Sequence, residues 1–302
     1  MIGISNLPGT QIFLLCLILV GVITVKIRIV DEHTRFSVSD LILNVFLPCN
    51  ILSSFLGANR SQLPSLGIIL LVSLGIIVFS FLFSLVIYRK TGPEQRKVLL
   101  YATIISNASF VGNPVVESIF GLEGLTYASA YLIPLRMSLW TVGLAVFTGG
   151  RGNLKKVLFH PCLLATYAGL IIMISGFTPP SLVSRLTFSL GNCTTPLSMI
   201  VVGNILAMVD PKKLINTMTI WFAFIRLLLI PLFVMGILLI FRPDPMISGI
   251  AVILSGMPAP VTTTILADKY GADRELACKI VFVSTILSIV TIPVLALLLT
   301  KL

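Results

Sequence analysis

Charge is what this sequence has least of. Of its 302 residues, 11% are Asp, Glu, Lys or Arg, and the 11 acidic residues are outnumbered by 21 basic ones. Histidine occurs twice, at His33 and His160, both at expected helix ends. A histidine metal cluster or a His-activated nucleophile therefore has no partner at depth. The five cysteines, Cys16, Cys49, Cys162, Cys193 and Cys278, form no CxxC pair and read as small apolar packing residues. HExxH, GxSxG and paired-aspartate patterns are absent. Serines such as Ser106 and Ser255 have no Lys or His at matching depth and read as partners of helix backbones. An enzyme is not expected, and no cofactor or metal is called for.

What the chain has instead is apolar length. It is 57% hydrophobic with a mean hydropathy of +1.07, far above a soluble domain. A helix needs about 20 residues to cross a bilayer. Ten spans are expected, at 10–27, 38–57, 65–88, 97–120, 123–148, 156–176, 182–209, 214–241, 246–270 and 275–300. Alternating strands of about ten residues do not occur, so a β-barrel is not expected. The fold class is all-α integral membrane, with no soluble domain in the gaps. Positive residues follow the first apolar stretch, so it reads as a retained span.

Basic residues then set orientation, because short cytoplasmic loops are enriched in Lys and Arg. With Arg136 and Arg226 set aside as mid-span, fifteen of the 21 fall on one side and four, Arg60, Arg185, Arg242 and Lys301, on the other. Both termini are thus expected on the extracytoplasmic side of the plasma membrane. The net charge of +10 follows from these loops, facing lipid headgroups, with no nucleic-acid partner.

Helix breakers recur at matching places. Pro48 lies between Asn44 and Asn50 in span 2, as Pro196 lies between Asn192 and Asn204 in span 7. Span 4 carries "GNP" at residues 112–114, span 9 carries "SGMPAP" at 255–260, and spans 5 and 10 carry Pro134 and Pro293. An odd number of spans per half makes this an inverted repeat, residues 1–150 and 151–302, and paired Gly/Pro-interrupted spans point to a transport site. Gly112, Asn113 and Pro114 are expected to unwind span 4, with Pro114 and Pro260 opening the following half-helices. Two half-helix N-termini facing one region favour an anion.

At "NVFLP", "SNASFVGNP", "RLLLIP" and "GMPAPVTTTILADKYGADRELACKIVFVSTILSIVTIP" the chain resembles the auxin efflux carrier family, which includes plant auxin carriers and bacterial malate and malonate permeases. The resemblance covers the chain in order. It implies ten helices in a fold similar to bile-acid symporters and sodium/proton antiporters, with spans 4 and 9 crossing. It also implies a homodimer and an elevator movement of one bundle, spans 3–5 and 8–10, against a scaffold of spans 1, 2, 6 and 7. The family's asparagine falls on Asn107 and its crossing prolines on Pro114 and Pro260. Plant members carry a long hydrophilic loop where this chain has "GGRGNLKK", which points away from auxin itself.

Ionisable residues inside a membrane are costly and mark function by default. Arg136 is either a clamp for a substrate carboxylate or a brace, and so is Arg226. Glu117 is either a coupling group or a paired one. The expected substrate site is Asn107, Gly112, Asn113, Pro114, Arg136, Asn192, Pro258, Pro260 and Thr262. The expected function is a secondary carrier of small organic anions such as malate. The alternative is a sodium-coupled organic-anion symporter of the bile-acid type.

Overall fold

The structure, a computed structural model, describes residues 7–56, 60–149, 159, 161–207 and 215–299. Arg151, Lys155, Lys156, His160, Asp210, Lys212, Lys213 and Lys301 lie outside the described residues. Among the described residues every regular element is helical. In chain order these are α1 (Leu7–Lys26), α2 (Glu32–Leu41), α3 (Leu47–Leu56), α4 (Leu63–Ile87), α5 (Pro93–Ile104), α6 (Asn113–Ser138), α7 (Leu144–Thr148) and α8 (Pro161–Ser175). They are followed by α9 (Ser181–Gly191), α10 (Thr194–Ala207), α11 (Thr217–Phe224), α12 (Ile230–Phe241), α13 (Pro245–Ser255), α14 (Thr262–Lys269) and α15 (Arg274–Leu299).

Six helical stretches are long and apolar enough to cross a membrane: His33–Leu56, Leu63–Ile87, Pro93–Thr148, Ser181–Asn204, Thr217–Phe241 and Arg274–Leu299. Shorter apolar helices occupy Cys16–Lys26, Pro161–Ser175 and Pro245–Ser255. Their outer faces are apolar, with Leu71 66% exposed, Val290 64% and Ile240 79%. Such faces are unfavourable in water and stable against hydrocarbon.

Four π turns interrupt the described helices, and all but the one at Leu139–Gly143 share a pattern. π turns at Ile42–Phe46, Ala108–Gly112 and Ile225–Leu229 each end two residues before a proline, Pro48, Pro114 and Pro231. A proline ring clashes with the carbonyl four residues back. Those carbonyls belong to Asn44, Phe110 and Leu227, all inside the widened turn, which gives the ring room. A different break lies within α6, where Gly121 takes φ 67 and ψ −165, dihedrals open essentially to glycine alone.

The chain forms two compact units, each drawing on both halves of the sequence. Unit 1 comprises Met1–Gly67, Asn113–Ala130 and Leu158–Val209. In it α1 packs along α10, and α3 packs against α8 and α9. The α1 and α10 backbones touch: a Cβ on Gly21 would overlap the Ile200 carbonyl, and one on Gly203 would overlap that of Ile18. Asn204 Nδ2 adds hydrogen bonds to the Gly21 carbonyl at 3.3 Å and to Thr24 Oγ1 at 3.1 Å.

Unit 2 comprises Ile68–Gly112, Tyr131–Val157 and Asp210–Leu302. Its central element is α15, which contacts α5, α11, α13 and α14. Val281, Phe282, Leu295 and Ala296 of α15 are buried in this core.

Candidate functional site

Two helices of unit 2 stop among buried residues. α5 ends at Ile104, and Ile105 is extended, with φ −100 and ψ 129. α13 ends at Ser255, and residues Met257–Pro260 stay non-helical before α14. The breaks are tied together. The Asn107 amide donates to the Pro258 carbonyl at 2.8 Å, and Ser106 Oγ donates to the Leu254 carbonyl at 3.3 Å. The Ala259 amide donates to Ser284 Oγ of α15 at 3.1 Å. Interrupted backbone is tolerated at membrane depth only when its polar groups are met inside the protein.

Arg226 meets two of them. It is 2% exposed, and its Nε donates to the Met257 carbonyl while Nη1 donates to the Thr103 carbonyl, both at 3.1 Å. Those carbonyls lie at or just past the C-terminal ends of α13 and α5, where the helix dipole is negative and a cation is favourable. In this structure the Arg226 guanidinium is bonded to backbone at both breaks.

The N-terminal ends have the opposite polarity. Asn107 stands immediately before the π turn Ala108–Gly112, and its carbonyl accepts from the Val111 and Gly112 amides at 3.1 and 3.3 Å. The half-helix therefore opens at Ala108, six residues ahead of Pro114, where the sequence places it. The turn that relieves the Pro114 ring is already helical, so the donor end moves upstream. Gly112 has ordinary helical dihedrals, φ −70 and ψ −44. Its missing Cβ matters for packing instead, because one would press on Leu254 Cδ2 and Met257 Cγ. At the second break, Pro260 precedes α14 by two residues, and its carbonyl accepts from the Thr263 amide at 3.0 Å.

Side chains gather at these N-termini. Asn107 is 8% exposed and Arg136 7% exposed, and Arg136 Nη2 reaches Ser109 Oγ of the π turn at 3.5 Å. Thr262 Oγ1 shares a 2.7 Å hydrogen bond with the Tyr101 hydroxyl, which anchors the start of α14 to α5. Its neighbour Thr263 is fully buried, and its Oγ1 has no hydrogen-bond partner. Sequence reasoning singles out Thr262 and misses Thr263; the only signal is the "TTT" run after Pro260.

The acidic side chains described in unit 2 are Glu94, Asp244, Asp273 and Glu275, all at helix starts. The Asp268 side chain lies outside the described residues. Among the described residues the two joined breaks thus hold two guanidinium groups and two helix N-termini with no carboxylate. Such a place suits an anion.

The remaining expected residues belong to unit 1. Asn113 and Pro114 open α6, both buried, and neither amide atom of Asn113 has a partner. Glu117, one turn on, is half-buried, and its Oε2 accepts from Thr195 Oγ1 at 3.3 Å. Asn192 caps the C-terminus of α9 and is exposed.

Comparison with known proteins adds an independent finding. A family model described as Membrane transport protein matches residues 9–157 and 151–296. The chain is 27% identical over 290 residues to an uncharacterized transporter of Methanothermobacter thermautotrophicus, spanning 94% of this chain and 95% of the relative. An uncharacterized transporter of Methanocaldococcus jannaschii is 24% identical over 299 residues, spanning 93% and 95%. A protein of Rhizobium meliloti named "Putative malonate transporter" is 28% identical over 142 residues, 47% of this chain and 44% of that protein.

Proposed function

Because the chain belongs to the auxin efflux carrier family of membrane transport proteins, we propose that it is a secondary carrier of a small organic anion. The ligand class is the carboxylates of the malate and malonate kind, in keeping with the name of the Rhizobium relative. The observation that carries this reading is the polarity of the crossing. Arg226 occupies the negative helix ends, and Arg136 stands beside one of the positive ends.

Arg136, whose Nη2 reaches Ser109 Oγ, presents a planar fork suited to a carboxylate. Asn107 and Thr263 donate hydrogen bonds, and Thr262, held by Tyr101, positions the α14 terminus. Neutral donors let the anion exchange contacts with water without being trapped. An inside-negative potential drives an anion outward by about 2.3 kcal/mol per charge per 100 mV, so export needs no coupled ion.

The wider mechanism proposed is ten crossings in two inverted five-span repeats, with an elevator movement of spans 3–5 and 8–10 against spans 1, 2, 6 and 7. The carrier works as a homodimer in the plasma membrane, with both termini outside. Flux of labelled malonate and malate into proteoliposomes tests the reading. Saturable dicarboxylate flux, lost in Asn107→Ala while the protein still folds, is the expected result. Absence of flux for every mono- and dicarboxylate presented would overturn it.

A further inference from the structure

Unit 1 holds a polar cluster of its own. On α6, Asn113 and Glu117 lie one helical turn apart and share a face, as Asn50 and Ser53 do on α3. The first turns of α10 supply Thr194, Thr195 and Ser198. These faces meet at Glu117: Thr195 Oγ1 donates to its carboxylate at 3.3 Å, and the Asn50 amide lies against the same group. Asn50 Nδ2 also donates at 3.3 Å to the carbonyl of Gly191, the last residue of α9, so a helix C-terminus adds its negative end.

The cluster is notable for oxygens without partners. Asn113 and Ser198 are 0% exposed, Thr194 1%, and Asn50 and Ser53 2%. Asn113 Oδ1, Asn50 Oδ1 and the hydroxyls of Ser53, Thr194 and Ser198 have no hydrogen-bond partner. Other buried hydroxyls of this unit bond back to their own helix, as Ser54 does to the Ile51 carbonyl at 2.7 Å and Thr166 to that of Cys162 at 2.8 Å. Ser53 and Ser198 have the same option and do not take it. Among the described residues no Lys or Arg pairs with Glu117.

One carboxylate beside the Asn50 amide, a threonine hydroxyl and a helix C-terminus, with unpartnered oxygens on the same three helix faces, offers hard oxygens and a single negative charge. Hard cations take oxygen ligands of this kind. A divalent ion would call for more carboxylates, an anion would be repelled by Glu117, and a proton alone would leave the other oxygens unbonded. We propose that unit 1 carries a binding site for a monovalent alkali cation of the sodium class, ligated by Glu117, the Asn113 and Asn50 amide oxygens, and the hydroxyls of Thr194 and Ser198. This inference does not rest on the carrier reading of unit 2.

The test uses the full chain in lipid nanodiscs with no organic anion present. Sodium chloride is titrated against choline chloride at constant ionic strength, and melting temperature and radiolabelled sodium binding are followed. Expected are saturable sodium binding and a rise in melting temperature that choline does not reproduce. Glu117→Gln should abolish both, and Ser198→Ala should weaken binding about tenfold or more. If Glu117→Gln does not fold, Ser198→Ala and Thr194→Val decide alone. No saturable binding to the wild type, or binding unchanged in the hydroxyl variants, overturns the proposal. A response to pH that is equal in sodium and choline also overturns it, in favour of a proton. None of these outcomes touches the Asn107 flux test, so the two readings fail separately.

Discussion

The amide of Asn107 donates to the carbonyl of Pro258 at 2.8 Å, so the two helix breaks are joined through backbone. Replacing the Asn107 side chain leaves that joint in place. Asn107→Ala should keep the melting temperature within a few degrees of wild type and reduce carboxylate flux about tenfold or more, a loss of about 1.4 kcal/mol in transition-state or binding energy. Flux and thermal unfolding on one preparation check this, and equal loss of both would remove its assigned role.

Arg226 should behave in the opposite way. Its guanidinium bonds the Met257 and Thr103 carbonyls in a fully buried place, and a hydrogen bond to a charged group contributes about 1.5–3 kcal/mol. Arg226→Met should therefore cost roughly 3 kcal/mol or more. The readout is the fraction of monodisperse protein after extraction and the melting temperature. A stable Arg226→Met variant that only loses transport would reassign this arginine to the ligand.

Thr263 and Thr264 offer a matched pair. Thr264 Oγ1 donates to the Val261 carbonyl at 2.8 Å, whereas Thr263 Oγ1 is buried without a partner. A buried polar group left unsatisfied costs about 1–3 kcal/mol. Thr263→Val should leave stability unchanged or raised while weakening carboxylate affinity, and Thr264→Val should lower stability with little effect on affinity. Melting curves and flux KM values for both variants separate the two roles.

The α1 and α10 contact in unit 1 admits no side chain at Gly203. Because the obstruction is a backbone carbonyl, a methyl group there has to push the helices apart. Gly203→Ala should destabilise by about 1–3 kcal/mol, as overpacking does. Gly75→Ala, where a Cβ would meet nothing within 4 Å, is the matched control in thermal unfolding.

Apolar length made the long helices readable. The spans expected at 65–88 and 275–300 are met by Leu63–Ile87 and Arg274–Leu299, because their apolar length carries the helix through, in the second case past Pro293. The second break was legible too, since two prolines and a glycine interrupt residues 256–260 in sequence order. The first was displaced, because the effect of Pro114 is absorbed upstream in a widened turn, and Gly112 answers to Leu254 and Met257 from another helix. Long-range partners left no local trace: Arg226 finds one carbonyl 31 residues away and another 123 away. Thr263 was hidden among three threonines, only one of which the pattern before it marked out.

Each π turn also counts as one residue more than a regular helix would use between the same two points. An extra residue rotates everything downstream by about 100° around the helix axis. The face that α12 turns toward lipid is thus set partly by the turn at Ile225–Leu229 before it. Deleting a single residue there would carry Leu232, Phe233 and Ile240 from the outer surface toward the interior and bring Val234 and Leu238 out. The proline that follows the turn makes such a deletion unfavourable by demanding the widened backbone. The pair works as a phase lock, a one-residue insertion that cannot easily be lost once the surfaces on either side have adapted to it.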